Sequence, residues 1–263
     1  MENLKEILME LEKSGRREAG FWLLGLREHV YFRLKDVSEL LKSRKKAIKF
    51  FVMNGFWRGR RDEQSALYAN CFLKAFEEVF DDMDLDDKNI LKEYIGDLLK
   101  AYSKEVEGIG YRINPKDVEM IESVFRCFIM NHSNPVKYIV EEIKEGRIKE
   151  VLEELCRIRN WGNKLSSMLL RNIVLYFKLE KYLKEEDYVL FFPMDTHVKQ
   201  MINLLWPEST KISDLNKLAR FSVKKVREMK LSPLYVNIGL WLIHAKAPRI
   251  IEFLLQHRSK LWR

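Results

Sequence analysis

The chain has 263 residues, 47% hydrophobic and 33% charged, which supports one large domain or two small ones with a true core and excludes wholesale disorder. Lys and Arg number 47 against 39 Asp and Glu, and the formal charge of +8 suits a polyanionic partner or an ordinary solvated helical surface equally well. No apolar run approaches the ~20 residues of a bilayer span, the start Met1-Glu2-Asn3-Leu4-Lys5-Glu6 lacks the apolar core of a signal peptide, and Cys71, Cys127 and Cys156 form neither a CxxC pair nor a zinc-ligand spacing with His.

The expectation is therefore an intracellular protein with no membrane association, structural metal, iron–sulfur cluster or disulfide framework. Only 11 Gly and 6 Pro punctuate it, and apolar residues recur at helical spacing. Leu4, Ile7, Leu8 and Leu11 set out a first amphipathic helix. Ala47 to Met53 reads as an apolar helix, and Phe72, Phe76 and Phe80 share one face of another, which Asp81-Asp82 ends. Ile90, Leu91, Ile95, Leu98 and Leu99 mark a further helix after the acidic stretch that begins at Asp84. Asn114-Pro115, Asn134-Pro135 and Ser232-Pro233 read as helix starts with Pro in the first turn. Together these signals predict helices over about 116–130, 134–145, 148–158, 164–180, 195–205, 213–228 and 233–245. No repeat or low-complexity segment occurs. The fold class is all-α with short connections.

Between two of these helices lies Ile158-Arg159-Asn160-Trp161-Gly162-Asn163-Lys164. Asn and Gly tolerate positive φ, which so short a hairpin demands. A turn of this kind directs successive backbone N–H groups outward at a helix start, making a concavity for one phosphate. Downstream, Phe191-Phe192-Pro193 forms an extended approach that delivers Asp195 to the start of the next helix. An Asp at that place reads first as an N-cap.

Taken in order, the hairpin with Lys164 and the segment Pro193-Met194-Asp195-Thr196-His197-Val198 resemble the helix-hairpin-helix DNA glycosylase superfamily. Its members typically show Leu-Pro-Gly-Val-Gly-x-Lys followed by Val-Asp-Thr-His. Asn160 stands where the first glycine is usual and Arg159 where the proline is usual. The charged insert Lys178 to Asp187 lengthens the interval from Lys164 to Asp195, which is reminiscent of archaeal 8-oxoguanine glycosylases, and reads as an extended second helix and loop. Gly108-Ile109-Gly110-Tyr111-Arg112 and Ser232-Pro233-Leu234-Tyr235 look like a turn and a pocket helix of 8-oxoguanine glycosylases, so the resemblance extends over most of the chain.

The resemblance implies two helical subdomains with an active-site cleft between them: a central bundle over 55–178 ending in the helix-hairpin-helix, and a second subdomain from 1–54 plus 179–263. It implies a base-excision-repair glycosylase with AP (β-elimination) lyase activity, removing an oxidised purine such as 8-oxoguanine from double-stranded DNA that contains a damaged base. Lys164 would be the nucleophile, freed of its proton by burial beside Leu165 and Met168, and Asp195 would stabilise positive charge at C1′. Asn160, Gly162, Asn163 and His197 would hold phosphates. No cofactor or metal and a monomeric state are expected.

In the loop Trp57-Arg58-Gly59-Arg60-Arg61, Arg58, Arg60 and Arg61 suit phosphate contacts, with Asn54 or Trp57 entering the base stack; a helix connection with solvated arginines is the other reading. Ser43-Arg44-Lys45-Lys46 and Ser222-Val223-Lys224-Lys225 are either further basic patches or plain surface. Asn237 and Trp241, one helical turn apart, form a candidate base pocket, against the reading of Trp241 as core. Three alternatives stand open: a glycosylase for another damaged or mismatched base, a non-catalytic helix-hairpin-helix DNA-binding module, and a helical scaffold unrelated to nucleic acid.

Overall fold

A computed structural model describes residues 2–58 and 60–246, and among them every regular element is helical. Gly59, the glycine of the arginine loop, lies outside the described residues. Twelve α-helices follow in order: α1 (Glu2–Glu28), α2 (Glu39–Lys42), α3 (Arg44–Met53), α4 (Asp62–Phe80), α5 (Lys88–Gly108), α6 (Pro115–Val124), α7 (Pro135–Lys144), α8 (Ile148–Cys156), α9 (Gly162–Tyr176), α10 (Thr196–Leu205), α11 (Leu215–Glu228) and α12 (Pro233–Lys246). No helix among the described residues is long and apolar enough to cross a membrane.

The helix starts follow from capping chemistry. Asn114 and Asn134 each accept backbone N–H bonds from the first turn that follows, and Pro occupies the next position in both. Beyond α6 the chain continues as one π-turn over Phe125–Ile129, closed by the Met130 N–H on the Phe125 carbonyl at 3.0 Å. The helix expected over 116–130 is thus α6 plus this turn.

The chain divides into two compact units, Leu26–Tyr182 and Met1–Gly25 together with the chain from Leu183 onward. Residues 26–54 therefore group with the central helices, which departs from the expected boundary at 54/55. The reason lies in α3. Phe51 is fully buried and stacks on Phe128 at 4.6 Å and on Trp161 at 5.3 Å, so α3 is core to the Leu26–Tyr182 unit. Phe72, Phe76 and Phe80 are all buried in the same unit, with successive ring centroids 5.8 Å and 4.9 Å apart.

In the other unit α1 crosses α12 at backbone contact. A Cβ on Gly15 would lie 1.9 Å from the Tyr235 carbonyl oxygen, and one on Gly239 would lie 2.1 Å from that of Leu11. Glycine is required at both positions of this crossing, and the Arg16 guanidinium lies 4.0 Å above the Tyr235 ring beside it.

The charged insert does not extend α9. Lys178 takes a left-handed φ of 55°, the Leu179 N–H bonds the Val174 carbonyl at 2.9 Å, and the Leu179 side chain is buried. That is the Schellman stop of a helix. The insert then folds as two 3₁₀ turns, Glu180–Tyr182 and Glu185–Val189.

Candidate functional site

The connection from α8 to α9 is held from several directions. Asn160 and Gly162 carry φ of 60° and 67°, the left-handed turns the sequence requires. Between them Trp161 turns inward, 3% exposed, and stacks on Phe51. Its ring passes so near the backbone that a Cβ on Gly55 would sit 2.7 Å from Trp161 Cζ3. The Arg159 N–H donates to Ser123 Oγ at 2.9 Å, and Asn160 Nδ2 donates to Glu119 at 2.9 Å and to the Lys116 carbonyl at 3.3 Å.

Gly162 and Asn163 are exposed at the start of α9, and Trp161 supplies no side-chain cap there. Backbone N–H groups in a helix's first turn have no partner within the helix and form its positive end. Lys164 follows in that turn, half-buried, beside buried Leu165 and half-buried Met168.

The arginine loop is not a solvated connection. Arg58 and Arg60 both ion-pair with Asp117, which is fully buried, and their side chains are only 14% and 10% exposed. Arg60 contacts both carboxylate oxygens, at 2.7 Å and 2.9 Å, and the Tyr102 hydroxyl donates to the same group at 3.3 Å. Arg58 also donates to the Asn160 carbonyl at 3.2 Å. Arg61, by contrast, is exposed at the start of α4.

The two stack candidates separate as well. Asn54 is buried, donating to the Phe50 carbonyl at 2.7 Å and accepting from Asn172 at 3.4 Å, so its amide ties the chain after α3 to α9. Trp57 is half-buried. Nor is Ser43 to Lys46 an open basic patch. Ser43 caps α3, Arg44 is buried on the carbonyls of Leu85, Asp86 and Ile129, and Lys45 and Lys46 pair with Asp81 and Glu39. Within the other stretch, Ser222 and Val223 are buried and Lys225 lies 3.7 Å from Glu208.

In the second unit Asp195 is the N-cap of α10, its Oδ1 accepting the Val198 N–H at 2.9 Å. The approach is apolar, with Phe191 and Phe192 buried, and it forms no strand. Asn237 is fully buried and donates Nδ2 to the Pro193 carbonyl at 3.2 Å. This bond ties α12 to the segment that presents Asp195, so Asn237 anchors that segment. Trp241 is half-buried, with its ring centroid 6.1 Å from that of Trp22 in an edge-on arrangement.

His197, half-buried in the first turn of α10, lies with Nδ1 only 2.6 Å from His244 Nδ1 of α12. One of the two nitrogens must be bare for such a contact to form. Burial, reinforced by the neighbouring imidazole, lowers the His244 pKa from its ordinary value, while Asp195 acts in the opposite direction. Neither His244 nor Asp117 stood out in the sequence. Each is a single titratable residue inside a helix with no surrounding motif, and only the partners reveal them. Comparison with protein-family models, with curated proteins and with solved structures yielded no match.

Proposed function

We propose that the protein is a DNA glycosylase with associated AP-lyase activity, acting on a damaged base in duplex DNA and most simply on an oxidised purine. The observation that carries the reading is the braced left-handed turn at Asn160 and Gly162, which opens α9 with Lys164 in its first turn. The Pro193-to-Val198 segment, with Asp195 at a helix start, supports it from the second unit.

In this reading the exposed N-terminus of α9 grips one backbone phosphate, while His197 serves another. The target nucleotide leaves the stack at a cost of a few kcal/mol. The unprotonated Lys164 amine attacks C1′ as the glycosidic bond breaks, and the base departs with the bonding electrons and a proton. Opening of the sugar ring converts the adduct to a Schiff base. Loss of a C2′ proton then breaks the C3′–O bond and frees the 3′ phosphate by β-elimination. Asp195 stabilises the positive charge that builds at C1′ during base departure.

The cap bond of Asp195 favours one competing reading, a non-catalytic clamp in which the carboxylate serves only α10. Duplexes carrying single lesions of different kinds, scored for base release and strand cleavage, separate the two. Release of at least one base with cleavage at the resulting site is the expected result. Tight duplex binding with every lesion left intact would replace the enzyme by the clamp.

A further inference from the structure

The Leu26–Tyr182 unit holds a cavity of about 540 Å³ beside the α8–α9 connection. Its walls come from three directions: Gln64 and Tyr68 of α4, Asn114 and Lys116 at the start of α6, and Asn160 of the connection, with Arg58 and Arg60 from the loop. All three charged residues in this lining are cations. The carboxylates bonded to the lining belong to Asp117, which has no exposed surface, and to Glu119, which Asn160 engages.

Two features make this a built site rather than a surface dent. First, the guanidiniums are held in place before any ligand arrives, because Asp117 fixes both and Arg60 also lies over the Tyr68 ring at 4.4 Å. A held guanidinium fork loses little freedom on binding a planar or tetrahedral oxyanion. Second, the two guanidiniums share a single buried carboxylate, so the lining keeps a positive charge that Asp117 does not offset. Lys116, exposed at the start of α6, adds a third cation to the same lining.

We propose that this cavity binds a phosphate monoester carried on a nucleotide. A monoester bears about −1.5 to −2 charges near neutral pH, against one for an internal diester, and so matches a lining of three cations of which Asp117 offsets one. The volume falls within the range of small-molecule sites and accommodates a nucleotide. Such a monoester sits at a strand end or on a free mononucleotide. The amides of Gln64 and Asn114 and the Tyr68 ring supply the polar and apolar wall for the attached nucleoside. The site adjoins the α9 N-terminus through Asn160 but does not depend on the role given to Lys164.

Fluorescence anisotropy with a short oligonucleotide, 5′-phosphorylated or 5′-hydroxyl, tests the proposal, with adenosine 5′-monophosphate and adenosine as competitors. The phosphorylated end is expected to bind about tenfold tighter, with displacement by the monophosphate and not by adenosine. If the monophosphate binds while the two oligonucleotides are equivalent, the site takes a free nucleotide. Equivalent oligonucleotides with no binding of the monophosphate would overturn the proposal. Arg60 is tied to a buried charge and its removal endangers the fold, so the variants are Lys116→Ala and Gln64→Ala, both at exposed positions. Each is expected to weaken monoester binding, and unchanged affinity in both would also refute the assignment.

Discussion

Arg58 Nη1 donates to the Asn160 carbonyl at 3.2 Å across 102 residues of sequence, while its other terminal nitrogen pairs with the buried carboxylate of Asp117. One guanidinium thus couples the loop before α4, the start of α6 and the turn that opens α9. The turn's shape is a property of the whole unit and not of its own few residues.

Asp117 is the centre of that coupling. Replacing it with Ala leaves two largely buried guanidiniums without their counter-charge, and loss of one partner from a buried pair costs about 3–5 kcal/mol. Urea unfolding of Asp117→Ala is expected to show a loss of that order. A loss below about 1 kcal/mol, the scale of an exposed pair, would mean that the arginines do not depend on it.

The left-handed turn makes a second, opposite pair of expectations. Gly162→Ala forces a Cβ into φ of 67° although no atom lies within 4 Å of it, so the cost is backbone strain of about 1–2 kcal/mol. Asn160→Gly relaxes the same kind of strain but forfeits the amide bonds to Glu119 and Lys116, and it is expected to lie within about 1 kcal/mol of the parent. Denaturation midpoints decide both, and a neutral Gly162→Ala would contradict the positive φ.

Much of this was legible from residue type and spacing. The Asn-Pro starts of α6 and α7, the phenylalanine face of α4 and the turn at Asn160 and Gly162 are local, because each depends on φ preference, capping or helical period. What was not legible depends on partners distant in sequence. Arg58 and Arg60 read as phosphate contacts or as solvated arginines until α6 brings Asp117 against them, and nothing near Asn237 in the sequence announces its bond to the Pro193 carbonyl. The end of α9 was missed for a different reason: Lys178 adopts a left-handed φ more commonly taken by Gly or Asn.

Under the proposed function Asp195 has two separable jobs, the cap of α10 and charge stabilisation at C1′. Asn is as good an N-cap as Asp, while Ala forfeits about 1 kcal/mol. Asp195→Asn is therefore expected to keep the parent's stability and lose base release, and Asp195→Ala to lose both. If Asp195→Asn retains full base release, the carboxylate is only a cap.

The histidine pair predicts a pH response. With its native pKa depressed below the ordinary 6.5, His244 holds fewer protons folded than unfolded in the window beneath that value. Unfolding free energy therefore rises with pH in that window. Its contribution is present above the unfolded value and is lost as pH falls through it towards the depressed native one. Between about pH 7.5 and about pH 5.5 the parent's melting temperature is expected to drop more than that of His244→Gln. Equal drops would show that the pair does not report on protonation.

Under the proposed function the Lys164 amine becomes covalently joined to C1′, and borohydride reduction of the protein with a lesion-bearing duplex traps that bond. The expected result is a stable protein–DNA adduct that peptide mapping places on Lys164 and that Lys164→Gln abolishes while leaving duplex binding intact. Base release with no trapped adduct, or an adduct that persists in Lys164→Gln, would contradict it.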